Sequence, residues 1–346
     1  MNFLILLLFI LFIFGIKPVK PIRGFYKDYL SVKNCVAWRG ILAVVVIFHH
    51  LSQVIVDHSY FYWFIPMGCI AVSLFFFYSG YGLQTKYQSN PAYSKHFLLH
   101  RLPPILIPYI TATLFYWIGN NILGNYHSFI EVLSRMISTQ PIVSNSWYII
   151  CLLAFYLFWG LAMQIFQNHH HRMILGGAAF AVLWIGFCKN MELGQWWYNA
   201  VPAIVVGIIW ASLGKKITVY IQKHYLIISL PLFFFTAAFF FYLRNYCPAF
   251  INPNCVLTVL APICVVVLSM KIQVGNKILQ FIGKISFELY MIHGFFISAL
   301  RFISNNVLFS AAVIFVSVMT AYVLHCLDAI MIRKLKERID HTSAAA

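Results

Sequence analysis

Several apolar runs of about 17–22 residues recur along the chain, each long enough to cross the ~30 Å hydrocarbon core of a bilayer as an α-helix. Apolar segments fall near 2–16, 40–57, 61–83, 102–123, 146–166, 173–188, 197–213, 225–243, 254–270, 285–300 and 307–327. Inside lipid every backbone N–H and C=O must be satisfied by the protein itself, which leaves helices or a closed barrel. The alternating ten-residue pattern of a membrane barrel is absent, so helices are the spanning element. Composition agrees: 9% of residues are charged and 62% are hydrophobic, against roughly 25% charged in an ordinary soluble domain. The chain reads as an all-α polytopic membrane protein.

The net charge of +16 would suit nucleic acid, but its distribution points to topology instead. Taken alternately, the segments between spans put 20 of the 24 Lys and Arg on one side, from Lys17, Lys20 and Lys27 through Lys215 and Lys216 to Arg338. Only Arg135, Lys189, Arg244 and Arg301 fall on the other. Such asymmetry makes the rich side cytoplasmic and attracts it to anionic lipid. The expectation is a multi-pass protein of the plasma (inner) membrane, N-terminus outside and C-terminus cytoplasmic, with no nucleic-acid partner. The first run lacks the basic n-region and small-residue cleavage site of a signal peptide, so residues 1–16 are expected to be a retained helix. Residues 331–346 read as a basic cytoplasmic tail.

Metal-ligand spacing is missing among the eight cysteines, and no metal is expected. Cys247 and Cys255 share one predicted outside loop, where a disulfide or two free thiols are both open. No Walker loop or Gly-rich dinucleotide turn occurs. "NHHHR" at 168–172 has no carboxylate or cysteine beside it and reads as a solvated loop.

Polar residues inside the spans carry the functional signal. In "WRGILAVVVIFHHLSQVIVDH", starting at Trp38, residues advance about 100° each around a helix. His50 lies eleven steps from Arg39 and within about 20° of its direction; Gln53 is about 40° off that line and Asp57 returns to it. Arg39, His50, Gln53 and Asp57 therefore form one stripe, while His49 points about 100° away from His50. A polar stripe on an apolar helix faces protein or a water-filled cavity, because lipid exposure is costly. His50 is about 16 Å along the axis from Arg39, at a depth where a neutral imidazole suits a general base better than a fixed cation. The bland alternative is a histidine that bonds a neighbouring helix and only aids assembly.

A second cluster lies in "FIGKISFELYMIHGFF", where Ser286, Tyr290 and His293 share a face. Glu288 falls on the opposite side, four residues after Lys284, and reads as a snorkelling or Lys-paired carboxylate. The glycines of "FFFYSGYGLQ" suit close helix approach. In "HRLPPILIPY", Pro103 and Pro104 fit a first helical turn. Trp147 and Tyr148 are placed for an interfacial aromatic belt.

Taken in order, these segments resemble the membrane acyltransferase family 3, integral-membrane O-acyltransferases of bacterial glycans and related acceptors. "RGILAVVVIFHH" is similar to its Arg–His hallmark and assigns Arg39 and His50. "LFFFYSGYGLQ" resembles its Phe-rich segment and gives Ser79; "KHFLLHRLPPILIPY" resembles its basic entry and Pro-containing helix and gives Arg101. "SWYIICLLAFYLF", "VPAIVVGIIWA" and "IGKISFELYMIHGFF" resemble later segments. Pro104 stands where many members carry another basic residue. The resemblance covers residues 30–330 and implies a core of about ten transmembrane helices to which the N-terminal helix is an addition.

The resemblance implies transfer of an acyl group, usually acetyl, from acyl-CoA as co-substrate, with no bound cofactor, to a hydroxyl such as that of a lipid-linked or envelope glycan. His50 would be the base and Arg39 would meet donor phosphate, both counted as catalytic. Arg101, Lys95 and Ser79 would bind the donor, while Gln53, Asp57, Tyr290 and His293 would line the cavity. Two other readings stand beside it: a transporter or flippase of a glycan or small metabolite, and a non-catalytic scaffold. No inverted repeat or paired broken helices favour transport.

Overall fold

The structure, a computed structural model, describes residues 2–20, 24–55, 62–166, 169–246 and 255–345. Among them are fourteen α-helices and one two-stranded sheet. A helix lies in each of the eleven apolar runs, and among the described residues seven helices are long and apolar enough to cross a membrane. The chain is a multi-pass, all-α membrane protein. It divides into two compact units, one of residues 2–92 and 162–283, the other of residues 93–161 and 284–346.

The first unit opens with α1 (Asn2–Ile13). Its 12 residues reach about 18 Å, short of the hydrocarbon thickness. A strand β1 (Ile16–Pro18) follows and pairs antiparallel with β2 (Ile272–Val274), Ile16 opposite Val274. Next come α2 (Val32–Val54), α3 (Met67–Ser89), α8 (Met173–Asn190), α9 (Pro202–Lys223), α10 (Tyr225–Tyr246), α11 (Cys255–Ser269) and α12 (Lys277–Lys284). The Ser31 hydroxyl caps α2 by accepting from Asn34 N–H, so the helix starts two turns before Arg39 and that residue lies inside it. Buried Asn34 donates to the Tyr29 carbonyl at 2.7 Å and accepts from Val274 N–H at 3.0 Å, tying the start of α2 to β2. Trp38, Ile41, Val274 and Leu279 form a core with Phe12 and Tyr78 packed against it. Trp38 Nε1 donates to Ser269 Oγ at 3.1 Å.

Helices α3 and α9 pack backbone to backbone. A Cβ on Gly80 would lie 2.3 Å from the Ile204 carbonyl oxygen, and one on Gly207 would lie 2.2 Å from that of Phe77. Small residues permit this approach. Gly82, the other glycine of that segment, faces open space. Buried Gln84 donates to Ser212 Oγ at 2.8 Å across the same contact.

The second unit contains α4 (Phe97–Arg101), α5 (Pro103–Ile122), α6 (Phe129–Met136), the part of α7 (Trp147–Ile165) up to Leu161, α13 (Ser286–Ala299) and α14 (Asn306–Ala345). Pro103 opens α5, where a missing N–H leaves no bond unmade. Tyr148 is buried, with its ring 5.4 Å edge-on from Tyr290, and so does not serve an interfacial belt. Glu288 is also buried. Its partner is His325 of α14, whose Nδ1–H donates to Glu288 Oε1 at 2.9 Å, so the expected pairing with Lys284 gives way to a contact between helices. Beside it, Thr111 of α5 donates to Asp328 Oδ2 at 3.2 Å.

Two stability effects follow. Gly80→Ala and Gly207→Ala each press a methyl onto a rigid backbone and lower stability by about 1–3 kcal/mol, read from unfolding of the detergent-solubilised protein. His325→Leu strands the Glu288 carboxyl and costs about 1–3 kcal/mol, most of which the double variant with Glu288→Leu restores in the same assay.

Candidate functional site

The polar stripe of α2 contains a bonded group. His50 is half-buried and His49 buried; their rings lie 4.8 Å apart and inclined at 61°. Gln53 joins them: its Oε1 is 3.1 Å from His50 Nδ1, and its Nε2 is 3.2 Å from His49 Nε2. One turn of helix makes this possible, since Gln53 is three residues after one histidine and four after the other. His49 Nδ1 in turn lies 3.2 Å from the Phe64 carbonyl, in a 3-10 turn at Tyr62–Phe64. The Phe64 ring is held edge-on against Phe48 at 5.0 Å. Gly68, at the start of α3, leaves room for the His49 ring: a Cβ there would lie 2.4 Å from it. Asp57, the outer end of the stripe, lies outside the described residues.

Toward the basic end of α2, Arg39 is half-buried and its charge acts on Cys35, one turn earlier, and on Tyr78 of α3. Next to this region is a cleft of about 750 Å³ lined by Lys27, Tyr29, Tyr81, Trp210, Lys215 and Gln222, among others. Its floor is ordered by hydrogen bonds: Trp210 Nε1 donates to the Tyr29 hydroxyl at 3.0 Å, and that hydroxyl lies 2.6 Å from Thr218 Oγ1. Tyr81 stacks on Phe77 with an interplanar angle of 5°. Both lysines belong to segments rich in basic residues. Ser79 does not line this cleft; its hydroxyl donates to the Phe75 carbonyl of its own helix at 3.0 Å.

The remaining expected residues belong to the unit of residues 93–161 and 284–346. Arg101 donates through Nε to the Tyr93 hydroxyl and holds its guanidinium over the Tyr93 ring, 5.4 Å from the centroid. Burial pushes the Tyr93 hydroxyl above the usual phenol range, and the Arg101 charge partly offsets that rise. Lys95 is exposed. His293 is fully buried, its Nδ1–H donating to the Leu289 carbonyl at 3.0 Å and its Nε2 accepting from Asn145 at 3.2 Å. Tyr290 is buried 6.2 Å from that imidazole. Both are thus packed within their own unit. Cys255 is a free cysteine at the start of α11, and Cys247 lies outside the described residues. Within "NHHHR", His169 and His171 are exposed, and Asn168 lies outside the described residues.

Sequence reasoning overlooked His49 and the cleft. The spacing of Gln53 from both histidines was the available signal for the first. The cleft draws on three segments distant in sequence and leaves no local pattern. Searches of curated proteins and of solved structures return no match. A family model described as an acyltransferase domain does match, over residues 37–326. The match takes in Arg39 and His50, the helices flanking the cleft, and His293; the chain belongs to the membrane acyltransferase family 3.

Proposed function

We propose that this protein is an integral-membrane O-acyltransferase that moves an acyl group, acetyl in the simplest case, from acyl-CoA to a hydroxyl of a glycan or other small acceptor in the plasma membrane. The observation that carries this reading is the placement of His50 and Arg39 on one polar stripe of an otherwise apolar helix. In this scheme His50 takes the proton from the acceptor hydroxyl as its oxygen attacks the thioester carbon. The carbon–sulfur bond breaks, and the imidazolium returns the proton to the departing thiolate. Ester and free CoA thiol are the products, and no proton is gained or lost overall.

Donor geometry supports the reading. Arg39 and His50 are separated by about 16 Å along α2. The pantetheine arm between the CoA diphosphate and its sulfur has about twelve bonds, as many as four residues of extended chain, and reaches ~14 Å. Phosphate at Arg39 therefore leaves the thioester close to His50. The nucleotide end would lie in the adjoining cleft, with Lys27 and Lys215 toward its phosphates and the Tyr81 and Trp210 rings offering flat surface. The side of the membrane rich in Lys and Arg is, in this reading, the cytoplasmic one, where acyl-CoA is found.

His50→Ala lowers transfer from labelled acetyl-CoA by a factor of at least about 10²–10⁴ while the protein still inserts and elutes as a single species; retained turnover in that variant overturns the assignment. Paired Lys27→Glu and Lys215→Glu changes raise KM for acyl-CoA about tenfold with a smaller effect on kcat. Added salt then raises KM of the wild type more than that of the variant.

A further inference from the structure

The contacts of Gln53 set the position of the hydrogen on His50 Nδ1. The Phe64 carbonyl can only accept, so His49 Nδ1, 3.2 Å away, carries a hydrogen. In a neutral imidazole the other nitrogen then bears the lone pair. His49 Nε2 therefore accepts, and the Gln53 atom 3.2 Å from it is the amide nitrogen, which donates. That fixes the orientation of the amide and turns Gln53 Oε1 toward His50 Nδ1, 3.1 Å away. The oxygen accepts, so His50 holds its hydrogen on Nδ1 and its lone pair on Nε2. Exchanging the amide's oxygen and nitrogen would set an oxygen against the lone pair of His49 Nε2, so the His49 end alone decides the orientation.

We propose that Gln53 and His49 are positioning residues, which together with the Phe64 carbonyl hold His50 in the tautomer whose Nε2 is the base. A histidine free in water favours the opposite tautomer, with the hydrogen on Nε2, so the arrangement raises the share of rings ready to accept a proton at that atom. Gly68 belongs to the same device, because any side chain there would displace the His49 ring. The catalytic meaning of the device rests on the acyltransferase reading. The tautomer itself does not.

The test uses the full-length protein in detergent with ¹⁵N-labelled histidine. His50 signals are assigned by their disappearance in His50→Ala. In the wild type, His50 Nδ1 is expected to resonate as a protonated nitrogen and Nε2 as an unprotonated one. Gln53→Leu removes both amide hydrogen bonds and moves the ring toward the Nε2–H form, with kcat falling about tenfold and KM for either substrate nearly unchanged. Gln53→Glu keeps an acceptor for His50 Nδ1–H and recovers part of that loss. Gly68→Ala, which leaves all three polar residues in place, shifts the His50 signals in the same direction as Gln53→Leu. A wild-type His50 protonated on Nε2, or His50 signals and kcat that do not respond to Gln53→Leu and Gly68→Ala, would overturn the proposal. A normal tautomer response in a protein that keeps its turnover in His50→Ala would instead uphold the hydrogen-bonded device and overturn the base assignment.

Discussion

A polar group within an apolar bundle must find its partner in the protein, since lipid offers none. Nearly every specific feature of this structure answers that demand. Trp38 reaches Ser269, Gln84 reaches Ser212, Glu288 reaches His325, Thr111 reaches Asp328, and Asn145 reaches His293. Each pair joins residues of different elements. Apolar packing between such helices gains little over packing against lipid tails. These contacts therefore fix register and rotation, and they decide which side chains face inward.

The same demand separates residues that look alike in sequence. His293 and His50 are both imidazoles on apolar helices. One has both ring nitrogens engaged and no exposure, which makes it part of the packing of α13. The other is half-buried and held by a residue of its own helix, in the unit whose cleft is lined by Lys27 and Lys215. Burial and bonding together distinguish the structural histidine from the candidate base, and residue type alone does not.

Much of this was legible from the residues. The apolar runs gave the helices, because length and hydropathy alone determine whether a segment can span. Arg39, His50 and Gln53 were placed on one line by helix geometry, and the Gly80 segment was read as a close approach. Boundaries were less legible: α2 begins at Val32 because Ser31 caps it, and hydropathy does not register a cap. The role of Glu288 was misread because its partner lies 37 residues away on α14, whereas the sequence displayed only its neighbour Lys284. His49 was set aside for pointing away from the stripe, yet Gln53 is long enough to bridge both directions.

The group formed by Phe64, His49, Gln53 and His50 contains no carboxylate. Many hydrolytic enzymes orient their histidine with an aspartate, which brings an anion into the site. An amide and a second imidazole achieve orientation with dipoles only. Uncharged groups are cheaper to desolvate within a bilayer, and in the proposed reading they exert no repulsion on a polyanionic donor. On that reading, none of these four groups sets a negative charge beside the imidazolium as it forms. In the proposed reading, transfer from a thioester, whose sulfur departs readily, asks less of such a group than transfer from an amide, whose nitrogen does not.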